Sequence, residues 1–437
     1  MLTKHFQKHK KLFSIHFLLL LCILLSCSED TEDKAKNSNR NFNNNTSTFI
    51  YNAIPENSKA AISSEYSIAV NTFSVNLLKQ VYNDENYLNK NLVLSPFSVS
   101  RNLAVLTEGT TGESKQELLD ALGGQTALDD AKDALSQLLY ADNSVILQCA
   151  DAIWIDSTRF SLKASFREKV ISKYGVETAG LNFSDVSGTV NTINKWTSNN
   201  TNNFINQIIN QDDINQSPTV AILANAIYFE ADWTSPFDIT KTEKQDFYAP
   251  TGVVNVDMMK SSYFHETYKN DKYENAKLYY GTNDKKYFYL DIYMPTTISV
   301  QDFVENNSLS ALSTQHSLNY GNLQMPKFFF ETEVKLIPML KELGIKGIFD
   351  PSKNEITEMI DGLDTGLFVS KVKHKAGIKT DEEGTKAYAV TASVGVMSSG
   401  FPSPEVVFNS PFIYFIRAGK NGLILFAGIV NNPNETF

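Results

Sequence analysis

The side chains that could do chemistry are few, and their spacing suits none of the common reactions. Of six histidines, His5, His9 and His16 fall in the N-terminal leader, leaving His265, His316 and His374. No two of these stand at metal-ligand spacing and no cysteine pair joins them, so no metal is expected. His265 and Glu266 lack the second histidine of a zinc-protease helix. The run Gly395 to Gly400 (GVMSSG) has the wrong spacing for a nucleophile elbow, and no phosphate-binding glycine loop occurs. Carboxylates are plentiful but scattered, so none is nominated as an acid–base pair. Cys149, between Leu147 and Ala150, reads as a small core residue rather than a nucleophile. The expectation is a protein that is not an enzyme and needs no cofactor. One stretch is instead suited to being acted upon. Asp381 to Pro404 (DEEGTKAYAVTASVGVMSSGFPSP) opens with three acids and a glycine, then runs through small uncharged residues to a Pro-x-Pro brake. Such a β-prone run is normally buried. Its pattern fits an ordinary sheet strand, or a long exposed bait loop that can become one.

The rest of the chain bounds the choice. It has 437 residues and a formal charge of −10, enough for one large domain or two, and an acid excess that argues against nucleic acid as a partner. Residues 1–26 form a leader: Lys4, Lys8, Lys10 and Lys11, then an apolar core from Phe17 to Leu25. With LLSC at Leu24 to Cys27 this resembles a bacterial lipoprotein signal, in which Cys27 carries the lipid. A plain secretory signal or an anchor helix is the alternative. Ser28, Glu29 and Asp30 look like the acidic tag that sends some lipoproteins to the outer cell surface, so the expected location is the outer membrane, facing the surface or the periplasm. Residues 27–60 are too polar to bury a core and read as a disordered tether. Residues 61–437 form the folded domain. With Cys22 and Cys27 spent on the leader and the lipid, that domain has no disulfide.

Apolar residues recur at helical spacing from Ile62 to Val81. Ser95 is a natural N-cap with Pro96 at the first helical position. Further helices are expected at Glu113 to Leu122, Leu162 to Tyr174, Val190 to Ile209 (with Trp196 and Phe204 inward) and Val334 to Leu343. Pro338 inside the last should lose one backbone bond. Strands are expected at Val145 to Ile155, Ala221 to Trp233 and Leu323 to Phe330, and from Gly366 onward. Helices cluster early and strands late, an α+β layout.

Several of these segments, in this order, resemble the serpins. NLVLSPFSVS (Asn91 to Ser100), ANAIYF (Ala224 to Phe229) with Trp233 and Phe237, and DMMK (Asp257 to Lys260) match family motifs. So do MPKF (Met325 to Phe328), LKELGIKGIF (Leu340 to Phe349), HKA (His374 to Ala376), EEGT (Glu382 to Thr385), FNSPFIYFI (Phe408 to Ile416) and GIVNNP (Gly428 to Pro433). The resemblance implies three β-sheets with eight or nine helices and an exposed reactive-centre loop. It implies a monomeric suicide-substrate inhibitor of serine endopeptidases, with papain-like cysteine proteases as a further target class. After cleavage the loop would enter the main sheet as a new strand. Glu382, Glu383, Gly384, Thr385, Ala387 and Ala389 would be the hinge. Ser95, Ser98, Asn225 and His374 would form a hydrogen-bonded shutter. Lys327 and Glu382 would pair at the breach beside Trp233.

The loop has the side chains for insertion. Strand faces alternate, and one face carries Thr385, Ala387, Ala389, Thr391 and Ser393, all small. The other carries Lys386, Tyr388, Val390, Ala392 and Val394. Lys386 stands where the family usually has Glu and Tyr388 where it usually has Ala. Both are features that a non-inhibitory serpin-fold binding or adhesion protein would tolerate. Inserting about a dozen residues gains on the order of 10 kcal/mol at about 1 kcal/mol per net backbone bond. Counting from Glu382 puts the scissile bond at Ser398-Ser399, and counting back from Glu405 puts it near Gly400, so it lies within Val396 to Phe401. No Arg or Lys is available there for a trypsin-like pocket. Val396 and Ser398 suit elastase-like enzymes. Met397 and Phe401 suit chymotrypsin- or subtilisin-like ones.

Overall fold

A computed structural model describes residues 62–138, 140–141, 144–215, 219–263, 265–281, 287–306, 309, 319–362, 367–385 and 405–436. Cys27 and the loop positions Ala387, Ala389, Val396, Met397, Ser398, Ser399, Gly400 and Phe401 lie outside these residues. Among the described residues there are nine α-helices: α1 (Ser64–Asn83), α2 (Pro96–Gly109), α3 (Gly112–Ala121), α4 (Gln125–Leu138), α5 (Ala164–Tyr174), α6 (Val186–Asn200), α7 (Asp212–Asn215), α8 (Val300–Asn306) and α9 (Ile337–Glu342).

The main sheet has seven strands. Those that matter for function are β1 (Val145–Asp156), β2 (Glu177–Leu181), β3 (Ala221–Asp232), β4 (Phe328–Lys335), β5 (Lys373–Thr380) and β6 (Gly384–Thr385). Their order is β4-β5-β6-β3-β1, with β2 parallel to β1 and Tyr140–Ala141 antiparallel to it. β1 and β3 pair along their length, from Val145 against Ala231 to Ile155 against Ala221. The remaining large sheet has ten strands and divides at Asn319–Pro326. That strand's first residues pair with His265–Lys269 and its last with Gly252–Lys260. The three-sheet, α+β expectation is met, with a small pairing of Ser161–Leu162 and Ile360–Asp361 in addition.

Local chemistry explains the boundaries. The Ser95 Oγ accepts from the Ser98 amide at 3.3 Å and caps α2, with Pro96 in the first turn, where its missing N–H is harmless. α6 is capped by Asp185, which accepts from the Gly188 amide at 3.0 Å. It stops at Asn200, not Ile209, because Asn202 and Asn203 adopt φ of 48° and 61°, a left-handed pair that breaks the helix. Phe204 therefore sits in the linker between α6 and β3. The helix expected over Val334 to Leu343 is also shorter. Strand β4 runs to Lys335, and Pro338 falls in the first turn of α9, where it removes no helical bond. The single strand expected over Leu323 to Phe330 is two strands in different sheets, separated at Lys327. α4 is a helix that the apolar spacing left unassigned.

The outer face of β1 and β3 is covered by α6 through a core of its own, in which Ile193 and Trp196 pack on Ala152, Trp154, Ala224 and Ala226. The two tryptophan rings meet edge to face at 5.1 Å. α6, β1 and β3 thus share one packing unit on one side of the main sheet.

Candidate functional site

The site is a gap in the main sheet. β5 and β3 are joined only through β6, the two-residue strand at its head: Thr385 pairs with Thr380 on one side and Ala231 on the other, and Gly384 pairs with Asp232. Below Thr385, among the described residues, no pairing joins β5 to β3 directly. A shallow cleft lies there, walled by Ile227 to Phe229 and Lys375 to Lys379, with Ile416 and Phe426 in its lining.

The head is held by many neutral contacts. The Trp233 amide donates to the Glu383 carbonyl at 2.8 Å, and the Phe237 amide to the Glu382 carbonyl at 2.9 Å. The Trp233 indole Nε1 donates to the Asp381 carbonyl at 2.9 Å. The Glu382 Oε1 accepts from Lys327 Nζ at 2.8 Å and from Thr242 Oγ1 at 2.7 Å. Glu382 is buried, so this is not a solvated surface pair. The Trp233 ring stacks on Tyr280 at 4.5 Å, and the Tyr280 hydroxyl meets Thr385 Oγ1 at 2.7 Å. Gly384 must be glycine: a Cβ there would collide with the Ala231 carbonyl oxygen. His265 closes the same end, buried, with Nε2 2.7 Å from Ser261 Oγ and its ring parallel to Phe237. Burial pushes its pKa down to about 4.

The foot is built differently. The four shutter residues form two pairs, one on each bank, joined where the Ser98 amide donates to Ser95 Oγ. On β5, His374 Nε2 accepts from the Ser95 amide at 2.9 Å, which places the ring proton on Nδ1. Burial pushes His374 down to about 4. On β3, Asn225 Oδ1 accepts from Ser98 Oγ, and its Nδ2 donates to Asp151 Oδ1 at 2.6 Å. Asp151 in turn binds Arg101, whose Nε lies 2.9 Å away. Both charges are almost wholly buried. Burial lowers the arginine pKa, but the Asp151 carboxylate, with Cys149 and Tyr66 beside it, more than offsets this, and the net shift is upward. Both banks are therefore anchored to the same helix, α2, by different chemistry. The half-buried Cys149 lies 3.5 Å from Asn225 Nδ2, and burial lifts its thiol to about 11, which favours the protonated form.

Sequence reasoning placed Ser95, Ser98, Asn225, His374, Trp233, Lys327 and the hinge residues Glu382, Glu383, Gly384 and Thr385 around this gap. It missed Arg101, Asp151, Thr242 and Tyr280. These are common residue types whose partners lie 50 to 140 positions away, and nothing local marks them.

Comparison with known proteins agrees with this arrangement. The family model for serpins, the serine protease inhibitors, matches residues 68–433. Serpin-Z10 of Arabidopsis thaliana is 32% identical over 365 residues, which cover 79% of this chain and 92% of that protein. An uncharacterized serpin-like protein of Methanosarcina acetivorans is 29% identical, with 96% of this chain and 98% of that one covered. Among solved structures, the thermophilic serpin tengpin in its native state superposes with a TM-score of 0.75 at 26% identity, covering 85% of this chain and 95% of that one. A chain with this gap, this hinge and these relatives belongs to the serpin family.

Proposed function

We propose that the chain is a suicide-substrate inhibitor of serine endopeptidases. The observation that carries this is the two-residue strand β6, which stands at the head of a gap between β5 and β3. The target's serine oxygen attacks the carbonyl carbon of the scissile bond within Val396 to Phe401. The C–N bond breaks, the new amine leaves with a proton, and an acyl ester holds the protease on the loop. Residues following Thr385 then extend β6 down the gap and carry the ester-linked protease with them. Added residues gain backbone bonds to the two banks in alternation, about two bonds per residue, to one bank or the other. The small inward face of the loop is the side-chain counterpart of this reading. Elastase-like proteases are the favoured targets, through Ser398 and Val396, followed by chymotrypsin- or subtilisin-like ones. Anchoring by a lipid on Cys27 at the outer-membrane surface completes the proposal.

The test is to mix the detergent-extracted full chain with pancreatic elastase and run a denaturing gel. A stable band at the summed mass, with release of a C-terminal peptide starting inside Val396 to Phe401, is expected. Loop cleavage without that band, repeated with chymotrypsin, subtilisin and papain, would leave a non-inhibitory binding protein as the better reading. Metabolic labelling with a radioactive fatty acid, lost in Cys27→Ala, tests the anchor.

A further inference from the structure

The linker from α6 to β3 spans the gap on its outer face and touches both banks at two levels. On β5, His374, Ala376 and Ile378 point into the core, so Lys373, Lys375 and Gly377 face outward. On β3, Tyr228 shares its face with Ala224 and Ala226, which pack under α6. Phe204 bridges these two outer faces. Its ring lies directly on Gly377, where a Cβ would meet it at 2.4 Å, and its centre is 6.3 Å from that of Tyr228. Asn202 Nδ2 reaches the Tyr228 hydroxyl at 3.3 Å. Nearer the foot, Ile209 and Ile214 join the packing unit of α6 with Ala224 and Ala226. Asp213, beside Ile214, turns to the other bank. It accepts from Lys371 Nζ at 2.6 Å and from Lys373 Nζ at 2.7 Å, and from the Asn210 amide at 2.8 Å. The Asp213 side chain is 7% exposed and that of Lys373 16%, so this clamp is not a solvated surface pair. Burial alone would raise the Asp213 pKa, but the two lysines more than offset it and the net shift is downward. Asn194 fastens the linker to α6: its Oδ1 accepts from the Ile208 and Ile209 amides at 2.9 and 3.1 Å.

We infer that the segment from Asn202 to Asp213 is a latch across the gap, and that the clamp of Asp213 on Lys371 and Lys373 sets how fast a new strand can enter. This rests on the inhibitor reading and adds to it a positioning role for Asp213. Any strand between β5 and β3 has side chains on its outer face, and these need the space that the Phe204 ring now fills. The linker has to lift before such a strand can pass. Lifting it from β5 separates a buried carboxylate from two ammonium groups, and that separation adds to the barrier. Strand entry competes with hydrolysis of the acyl ester, so a tighter latch turns more chains into spent substrate.

The test takes the detergent-extracted full chain and measures the limiting rate of pancreatic elastase inactivation at saturating chain. Asp213→Asn is expected to raise that rate about threefold to tenfold. Lys373→Gln should act in the same direction, and the double variant should be no faster than Asp213→Asn alone, since both remove one clamp. Raising NaCl from about 0.1 M to about 1 M should speed the wild type and leave Asp213→Asn unchanged, a dependence that general loosening of the fold would not produce. Hydrogen exchange of the uncut chain reads the latch without a protease: amides of residues 202–213 should exchange faster in Asp213→Asn than in the wild type. Wild-type behaviour of Asp213→Asn in either measurement would overturn the latch while leaving the inhibitor reading intact. A wild type that is cut and traps no elastase would overturn both.

Discussion

The two ends of the gap oppose each other in how they are held. At the head, the hinge is fixed by backbone and hydroxyl contacts to Trp233, Phe237, Thr242 and Tyr280, with one lysine, a third exposed, taking part. Many modest bonds share the task, and a strand is already in place. At the foot, each bank is tied to α2 by one short chain of contacts, and one of these ends in a buried ion pair. On the proposed mechanism, a strand growing from the head would meet, at the foot, polar groups that are buried and already paired. The low dielectric that strengthens such a network also makes each of its members expensive to leave unpaired. The gap is thus held by many small contacts at one end and by a buried ionic network at the other.

The largest expected effect breaks the foot. Asp151→Ala leaves the Arg101 guanidinium buried with the Tyr174 carbonyl, 3.0 Å from Nη2, as its remaining partner, and should destabilise the chain by about 3–5 kcal/mol in guanidinium unfolding. A loss below about 1 kcal/mol would mean that the pair does not restrain this end.

Next comes pH, because each end contains one buried neutral histidine. His265 and His374 both have folded pKa values near 4 against 6.5 unfolded. Between these values the unfolded chain binds protons that the folded chain refuses. Stability is therefore fully present above about pH 6.5 and falls as the pH drops toward 4. The slope is up to about 1.4 kcal/mol per pH unit for each histidine. His374→Gln and His265→Gln should each remove their own share, so thermal melts across that window report which end opens first. A melting temperature flat from pH 7 to 4.5 would contradict burial of both rings.

How much of this was legible in the sequence follows the same division. The head and the hinge are written in contiguous motifs: EEGT carries its own turn, and Trp233 and Phe237 lie on one short segment. Ser95 as a helix cap is a local property as well, and so was read. The foot is a long-range construction. Arg101 is one arginine in a helix buried nearly all round, its partner 50 positions away, and only the folded register of β1 against β3 brings Asp151 to Asn225. The misplaced end of α6 has a local cause, since apolar spacing runs on to Phe204 while Asn202 and Asn203 turn the backbone left-handed. Periodicity reports which residues want burial, not whether the chain between them stays helical.

Smaller effects test whether the head is held collectively. Thr385→Val keeps the shape of the hinge residue but leaves the buried Tyr280 hydroxyl without its 2.7 Å partner, at an expected cost of about 1–2 kcal/mol. Lys327→Gln should cost less, about 1 kcal/mol, because the lysine is a third exposed and Glu382 keeps the Thr242 hydroxyl. Its carbonyl also keeps the Phe237 amide. Guanidinium midpoints of the uncut chain measure both. The informative quantity is their ratio to the Asp151→Ala loss. If Lys327→Gln destabilises as strongly as Asp151→Ala, the head hangs on one ion pair, and the contrast between a shared and a single restraint disappears.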